Sequence, residues 1–277
     1  PSGVPTADAV MARAGGENFP VASRLLPRAV RGHLLAVYGF ARLADQLGDD
    51  APGDRLAHLD WLEAELDRAY RGEATHPVLA RLAPTLDALS LPPAPFRDLV
   101  EANRLDQVAH RYSTFDDLLA YCRLSANPVG RLVLAVFGLT SPDREALSDQ
   151  VCTGLQIVEH LQDVGEDRAR GRVYLPADDL ARFGCDESDL GASRAGPALR
   201  GVVAFQAARA RTFLDAGGPL SASLPGRARV AVAGFAAGGL AALDAVERAD
   251  FDVLGTRCRP TPAGAGRHLV MLLVRGR

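Results

Sequence analysis

The chain has no lysine, so all 31 of its basic residues are arginine. Genomic base composition is the interpretation that carries most weight. The alternative is that some arginines bind phosphate groups, for which the planar guanidinium is well suited. Because 34 acidic residues offset the arginines, the formal net charge is only −3. A chain so close to neutral argues against nucleic acid as a partner.

Cysteine is scarce, and its spacing indicates neither a metal site nor a disulfide framework. The four cysteines are scattered as Cys122, Cys152, Cys185 and Cys258. No C-x-x-C pair occurs and no histidine lies at ligand spacing, so we expect buried, reduced thiols. The chain also lacks the G-x-G-x-x-G and P-loop fingerprints of nucleotide-binding folds.

Long hydrophobic runs are missing as well. The longest uncharged apolar stretch, Val230 to Leu243, is shorter than the roughly 20 residues that span a bilayer. Its glycines and alanines predict close helix packing instead. No basic start leads into an apolar run, so we expect no signal peptide and a cytoplasmic location. The arginine-rich end, 257–277, leaves peripheral contact with the inner face of a membrane open, although we favour a solvated tail.

Helical periodicity dominates the sequence, and no segment alternates as a β-strand would. We therefore predict an all-α protein with one domain, residues 1–277, in which 1–15 and 262–277 are peripheral. The predicted helices cover about 27–48, 53–70, 77–89, 94–108, 115–138 with a break at Asn127-Pro128, 143–168, the last turns of 171–184, 194–216 and 224–248.

Two rows of carboxylates stand out from this helical background. Asp45 and Asp49 form one row, and Glu159, Asp163 and Asp167 form the other. Residues four apart on a helix share a face and lie about 6 Å apart along the axis. Like charges at that spacing repel each other, so the rows predict bound divalent cations. Magnesium suits such oxygen ligands because it combines one or two carboxylates with waters and substrate phosphates.

A solvated helix face is the alternative interpretation of either row alone. It loses weight for the second row, because Ile157, Val158 and Leu161 indicate a half-buried environment. Buried charges are rarely found without a partner or a metal ion. Together the two rows favour a metal–diphosphate site.

Beyond these rows, the sequence resembles the head-to-head trans-isoprenyl diphosphate synthases, the group of squalene, phytoene and dehydrosqualene synthases. The resemblance runs from near the N-terminus to about residue 180 and continues more weakly through Arg257-Cys258-Arg259. It is carried by Tyr38-x-x-x-Arg42-x-x-Asp45-x-x-x-Asp49, Arg111-Tyr112-x-x-Phe115, Tyr121-Cys122, Val129-Gly130, Gln156-x-x-Glu159-x-x-x-Asp163-x-x-x-Asp167 and Arg172-x-Tyr174-x-Pro176.

This resemblance implies a single-domain helical bundle around a central cavity and a magnesium-dependent isoprenoid synthase. It implies that four aspartates are required for catalysis: Asp45, Asp49, Asp163 and Asp167. The implied magnesium ligands are these four and Glu159. The implied substrate-binding residues are Asn18, Phe19, Tyr38, Arg42, Gln156, Gln162 and Arg257.

A finer resemblance points to the bacterial hydroxysqualene synthases of the hopanoid route. It rests on the segments 17–23 and 121–130 and on Gln162-Asp163. The expected reaction joins presqualene diphosphate and water to give hydroxysqualene and diphosphate. The chain departs from the wider family at Asn18, where a serine is usual, at Glu159, where asparagine is usual, and at Gln162, where arginine is usual. The last two changes lower the positive potential near the diphosphate.

Two alternatives remain open. One is a synthase that makes presqualene diphosphate, squalene, dehydrosqualene or phytoene from two isoprenyl diphosphates such as farnesyl diphosphate. The other is a non-catalytic scaffold for its pathway. Contact with a presqualene diphosphate synthase is a further partner that the resemblance implies.

Overall fold

The computed structural model describes residues 3–12 and 26–275. Within these ranges the protein is helical, and its only β-type pairing is an isolated bridge between Arg111 and Val173. The all-α prediction is confirmed. The α-helices are α1 Ala7–Met11, α2 Arg28–Asp49, α3 Arg55–Tyr70, α4 Pro77–Leu89, α5 Ala94–Leu105, α6 Phe115–Ser125, α7 Asn127–Val136, α8 Pro142–Gln162, α9 Val164–Ala169, α10 Ala177–Arg182, α11 Pro197–Ala216, α12 Pro219–Ser223, α13 Gly226–Arg248 and α14 Pro262–Arg275, with a 3₁₀ helix at Glu187–Gly191.

Local signals explain where several helices begin. Thr114 and Asp117 form a capping box at the start of α6, each side chain accepting the other's backbone N–H. Pro77 and Pro197 occupy the first turns of α4 and α11, where the missing N–H costs nothing. The predicted break at Asn127-Pro128 separates α6 from α7.

The chain divides into two compact units that interleave along the sequence. Unit 1 contains 1–108 and 128–145, and unit 2 contains 109–127 and 146–277. The chain therefore passes between the units at 108/109, at 127/128 and at 145/146. The predicted single-domain organisation and its central cavity stay predictions.

Unit 1 is built around α2, which packs against α3, α4 and α5. Phe40 of α2 meets Phe96 of α5 edge to face, with ring centroids 5.0 Å apart, and both side chains are fully buried. The short α1 also packs on α2, and its Val10 is fully buried. The apolar residues of α1 therefore cover part of α2, while the prediction that 1–15 is peripheral stays a prediction.

In unit 2, two glycines allow α8 to pack closely against α13 and α11. A Cβ atom at Gly239 of α13 would lie 2.4 Å from Leu155 of α8, and one at Gly154 would lie 2.8 Å from Leu214 of α11. Neither position could hold a larger residue without displacing its neighbour. The predicted close packing of the Val230 to Leu243 stretch is thus confirmed.

The C-terminal segment contains a packed helix. Helix α14 lies along α13, where His268 contacts Asp244 with a nitrogen–oxygen distance of 2.8 Å. Arg267 pairs with the same carboxylate at 2.6 Å, and Arg229 donates to the carbonyl of Leu273. The sequence did not reveal this packing, because the contacts join residues far apart in sequence; the prediction that 262–277 is peripheral stays a prediction.

Helix α13 is long and apolar enough to cross a membrane by length and composition alone. However, 61% of its most apolar window is buried inside the protein, as in the core helix of a bundle. We therefore treat it as a core helix of unit 2.

The predicted helix over 143–168 is two helices in the structure. Asp163, with φ −105° and ψ 11°, lies between α8 and α9. Gly165 follows two residues later, and a Cβ atom there would lie 3.2 Å from Leu254. Glycine has a low helix propensity, and this one lies in the first turn of α9, directly after the break.

Candidate functional site

The first acidic motif occupies the last two turns of α2. Asp45 has a side chain that is 51% exposed and lies 3.8 Å from the guanidinium of Arg42, one turn earlier. Asp49 is the last residue of the helix, and no basic residue lies in the final turn. The carbonyl end of a helix already carries partial negative charge, so carboxylates there create a site that favours a cation.

Two amides that the sequence analysis missed support this motif, Asn103 on α5 and Gln107 in the turn that follows it. Asn103 lies with its Nδ2 atom 3.5 Å from the Asp45 carboxylate. Gln107 donates to the carbonyl of Gly48 at 3.0 Å. A Cβ atom at Gly48 would lie 2.3 Å from the Asn103 amide oxygen, so glycine is what lets the two helices meet here. The signal in the sequence was an i, i+4 amide pair at the end of an amphipathic helix and in the turn after it.

Two buried polar atoms beside the first motif lack a hydrogen-bond partner among the described residues. They are Nε of Arg42 and Oε1 of Gln46. The Gln46 amide nitrogen has the carbonyl of Ala9 at 3.5 Å. Buried polar atoms are nearly always satisfied, so these two fit a site completed by a ligand.

The second acidic motif crosses the break between α8 and α9. The backbone carbonyl of Asp163 accepts a hydrogen bond from the backbone N–H of Asp167 at 2.8 Å. The backbone N–H of Asp163 donates to the carbonyl of Glu159 at 3.0 Å. These helix-like hydrogen bonds preserve the i, i+4 spacing of the row across the break. The Glu159 residue is exposed, whereas Asp163 and Asp167 are half-buried.

The electrostatics of this motif favour a bound cation. Burial raises the pKa of Asp163 to about 6, and the neighbouring carboxylates Asp167 and Glu166 add to the rise. His160 and Arg170 oppose it without cancelling it. A carboxylate whose charge is disfavoured in this way is stabilised when a cation binds to it.

A buried aromatic cluster backs the second motif. The His160 ring stacks on Tyr174 with centroids 3.9 Å apart and an interplanar angle of 11°. Tyr121 packs against both rings. The Nδ1 atom of His160 lies 3.9 Å from an Asp167 oxygen, and its Nε2 lies 3.2 Å from the amide nitrogen of Gln156. His160 thus connects Gln156 and Asp167 through a packed ring.

The structure brings some predicted site residues together and leaves others apart. Arg42 lies beside Asp45, and Tyr38 is half-buried one turn earlier on α2. Gln162 contacts the segment that carries the exposed Arg257, by donating to the carbonyl of Cys258. Asn18 and Phe19 lie outside the described residues.

The donor chemistry fits magnesium. Over 3–12 and 26–275, no three His, Cys, Asp or Glu side chains converge closely enough to hold a metal ion by themselves. Magnesium does not need such a cage, because it keeps several waters and uses one or two carboxylates with substrate phosphates. Open rows of carboxylates are therefore suitable for magnesium carried in with a diphosphate.

A cavity in the described parts of the chain lies away from both acidic motifs. It has a volume of about 760 Å³ and is lined by residues of α3, α4 and their connections, including Tyr70, Pro84 and Leu91. None of its lining residues belongs to the predicted site. We give the chemistry of the acidic motifs more weight than the size of this cavity.

A helical protein with two carboxylate rows and an arginine beside the first has the features of an isoprenoid diphosphate synthase. Residues 12–263 match the family model described as squalene/phytoene synthase. The chain belongs to this family, whose members are isoprenoid synthases that bind isoprenyl diphosphates.

Relatives with different named products resemble the chain. It is 43% identical over 212 residues to a hydroxysqualene synthase of Rhodopseudomonas palustris, covering 75% of this chain and 71% of the relative. It is 36% identical over 212 residues to a phytoene synthase of Arthrospira platensis, covering 71% and 69%. Among solved structures, the squalene synthase HpnC of Alicyclobacillus acidocaldarius is 42% identical with a TM-score of 0.81, covering 92% of this chain and 94% of that one.

Proposed function

We propose that the protein is a magnesium-dependent hydroxysqualene synthase, which converts presqualene diphosphate and water to hydroxysqualene and diphosphate. The observation that carries the chemistry is the second acidic motif, where Glu159, Asp163 and Asp167 keep ligand spacing and Asp163 has a raised pKa. The choice of product is supported by the similarity to the hydroxysqualene synthase of Rhodopseudomonas palustris.

In this reaction the carbon–oxygen bond to the diphosphate breaks first, and a new carbon–oxygen bond to water forms after rearrangement of the cation. The water proton leaves with the diphosphate, so atoms and charge balance without a reductant. Bound magnesium supplies neutralisation of the leaving group. The residues that would hold it are Asp45, Asp49, Glu159, Asp163 and Asp167.

The remaining proposed roles belong to polar side chains and to the exclusion of water. Arg42 and Arg257 would bind diphosphate oxygens by charge-assisted hydrogen bonds, and Gln156, held by His160, would add a neutral one. Asn18, Phe19 and Tyr38 would contact the substrate. The cationic intermediate needs an apolar surrounding to survive until one water attacks.

The test is incubation of the purified protein with presqualene diphosphate and magnesium, without NADPH, followed by product analysis. Hydroxysqualene as the product would support the proposal. Matched reactions without magnesium, and with the Asp163→Asn variant, should give little product. No turnover of presqualene diphosphate by the intact protein would refute the proposal.

A second candidate is a synthase that condenses two isoprenyl diphosphates, which the similarity to phytoene synthases favours. Farnesyl or geranylgeranyl diphosphate, each supplied alone, separates it from the first candidate. Formation of presqualene diphosphate, squalene, dehydrosqualene or phytoene would identify it. For either activity we propose a cytoplasmic location, with peripheral membrane contact left to a vesicle-binding assay.

A further inference from the structure

The segment that carries Arg257 and Arg259 is firmly anchored at its start. Asp252 is 1% exposed and accepts the backbone N–H groups of Ala195 at 2.8 Å and Gly255 at 2.9 Å. Its carboxylate also pairs with Arg194 at 3.1 Å and Arg200 at 3.2 Å. These partners lower the pKa of Asp252 to about 2, so it stays ionised and keeps the anchor.

The far end of the same segment is attached to the second acidic motif. The Gln162 amide nitrogen donates to the backbone carbonyl of Cys258, across 96 residues of sequence. Leu254 packs over Gly165 at the same helix break. Gln162 directly precedes Asp163, so both contacts fix the segment beside that carboxylate.

Two exposed arginines, Arg257 and Arg259, flank the tethered carbonyl. Neither forms a side-chain hydrogen bond or ion pair with any residue that the structure describes. The backbone N–H of Arg259 donates to the carbonyl of Arg257 at 2.9 Å, which makes a tight turn at Cys258. The turn holds both arginines close to the point of attachment.

We infer that Gln162 is a positioning residue, which holds the Arg257–Arg259 turn against the second acidic motif so that these arginines meet the substrate's diphosphate. The inference rests on the proposed diphosphate site. An arginine at position 162 would bind the diphosphate directly. Gln162 instead holds the turn, because its amide nitrogen donates to the backbone carbonyl of Cys258. The binding charge comes instead from residues that are distant in sequence.

Trypsin tests the tether directly, because it cleaves only after arginine in a chain without lysine. The Arg257–Cys258 bond is the susceptible one, since Arg259 is followed by Pro260. Gln162→Leu should speed cleavage at this bond by about fivefold, as expected for the loss of one neutral hydrogen bond. Cleavage after the exposed Arg71 should keep its rate and serves as an internal control.

The matched control variant is Gln150→Leu on the same helix, because the half-buried side chain of Gln150 forms no hydrogen bond with the described residues. It should leave cleavage after Arg257 unchanged. Gln162→Asn keeps the amide but shortens its reach, so it should behave like Gln162→Leu. Equal cleavage in the wild type and both Gln162 variants would overturn the inference. Thermal unfolding of each variant checks that the effect is local.

Calorimetric binding of inorganic diphosphate with magnesium tests the consequence for the ligand. Gln162→Leu should weaken binding about fivefold. The Arg257→Ala, Arg259→Ala variant should weaken it further, and adding Gln162→Leu to that variant should change little, because the tether then positions no charge. Additive losses would overturn the positioning role. No diphosphate binding by the wild type would instead overturn the proposed function, while the proteolysis result would still stand.

Discussion

The acidic motif of α2 lies on one unbroken helix, whereas the motif of α8 and α9 crosses a helix break at Asp163. In the first, Asp45 is half-exposed and has the cation of Arg42 nearby at 3.8 Å. In the second, Asp163 is half-buried and its nearest charged neighbours include Glu166 and Asp167, so its pKa is raised.

The difference shows that similar carboxylate spacing can have different electrostatic consequences. An arginine one turn away offsets part of the charge of the first motif within the protein itself. The second motif accumulates negative charge in a less solvated place. It therefore depends more on a cation brought from outside, and the four predictions below test that asymmetry.

The largest effect is expected from removal of one carboxylate charge in the second motif. Asp163→Asn should lower kcat/KM by about 10²–10³, the range for loss of one electrostatic stabiliser. Asp45→Asn should cost less, because Arg42 is then released to bind the diphosphate. The double variant should be little worse than Asp163→Asn alone, because the proposed magnesium ligands serve the same step. Diphosphate release assays measure all three, and near-normal turnover by Asp163→Asn would remove that residue from the metal site.

The next prediction concerns the packing that supports the first motif. Gly48→Ala places a methyl group against Asn103 and should destabilise the protein by about 1–3 kcal/mol, as overpacking does. Gly32→Ala, on the same helix with nothing within 4 Å, should stabilise it by about 0.5–1 kcal/mol. Urea unfolding compares the two. A stabilised Gly48→Ala variant would contradict the close approach of α5.

The ionised Asp252, which anchors the 252–259 segment, should make the free energy of unfolding depend on pH. Asp252 has a pKa lowered from 3.8 to about 2, so its stabilisation is complete above pH 3.8 and is lost as the pH falls towards 2. The charged and titratable groups that face it are Arg194, Arg200 and Cys258. In Asp252→Asn, the free energy of unfolding should fall less steeply as the pH is lowered from 3.8 towards 2, which urea unfolding at several pH values measures.

Asp250→Asn is the control for this experiment, because Asp250 pairs with the same Arg200 but is 84% exposed. In this variant the free energy of unfolding should fall almost as steeply as in the wild type. An equal fall in the wild type and Asp252→Asn would show that Asp252 is not the group responsible.

The smallest effect is expected at Glu159, the exposed member of the second row. Glu159→Asn should raise the magnesium concentration for half-maximal activity by about fivefold, because one charge at ~4 Å in water is worth ~1 kcal/mol. The fold should be unaffected. An unchanged magnesium dependence would place Glu159 outside the metal's coordination sphere.

Much of the fold was predictable because helical periodicity is a local property. The predicted limits 77–89 coincide with α4, and 27–48 is close to α2. The break at Asp163 was not predicted, since the i, i+4 spacing of the acidic row continues across it. Helix α14 was missed because its glycines and arginines are typical of a tail, and its packing rests on contacts with distant residues such as Asp244 and Arg229.

In the candidate site, too, features local in sequence were predicted and contacts between distant residues were not. The carboxylate rows and Arg42 share helix faces, so their spacing alone predicted a metal site. The amides of Asn103 and Gln107 act across helices, and their targets cannot be read from spacing. Gln162 is the clearest case, because its hydrogen-bond acceptor is 96 residues away.

The interleaved path of the chain has a consequence for how such a protein can evolve. Since the chain passes between the two units at three places, neither unit corresponds to one continuous stretch of gene. A recombination event with a single crossover at residue 108 would join one parent's 1–108 to another's 128–145 within the same core. Exchange of either motif as a cassette is therefore disfavoured, and the two acidic rows are expected to be inherited together.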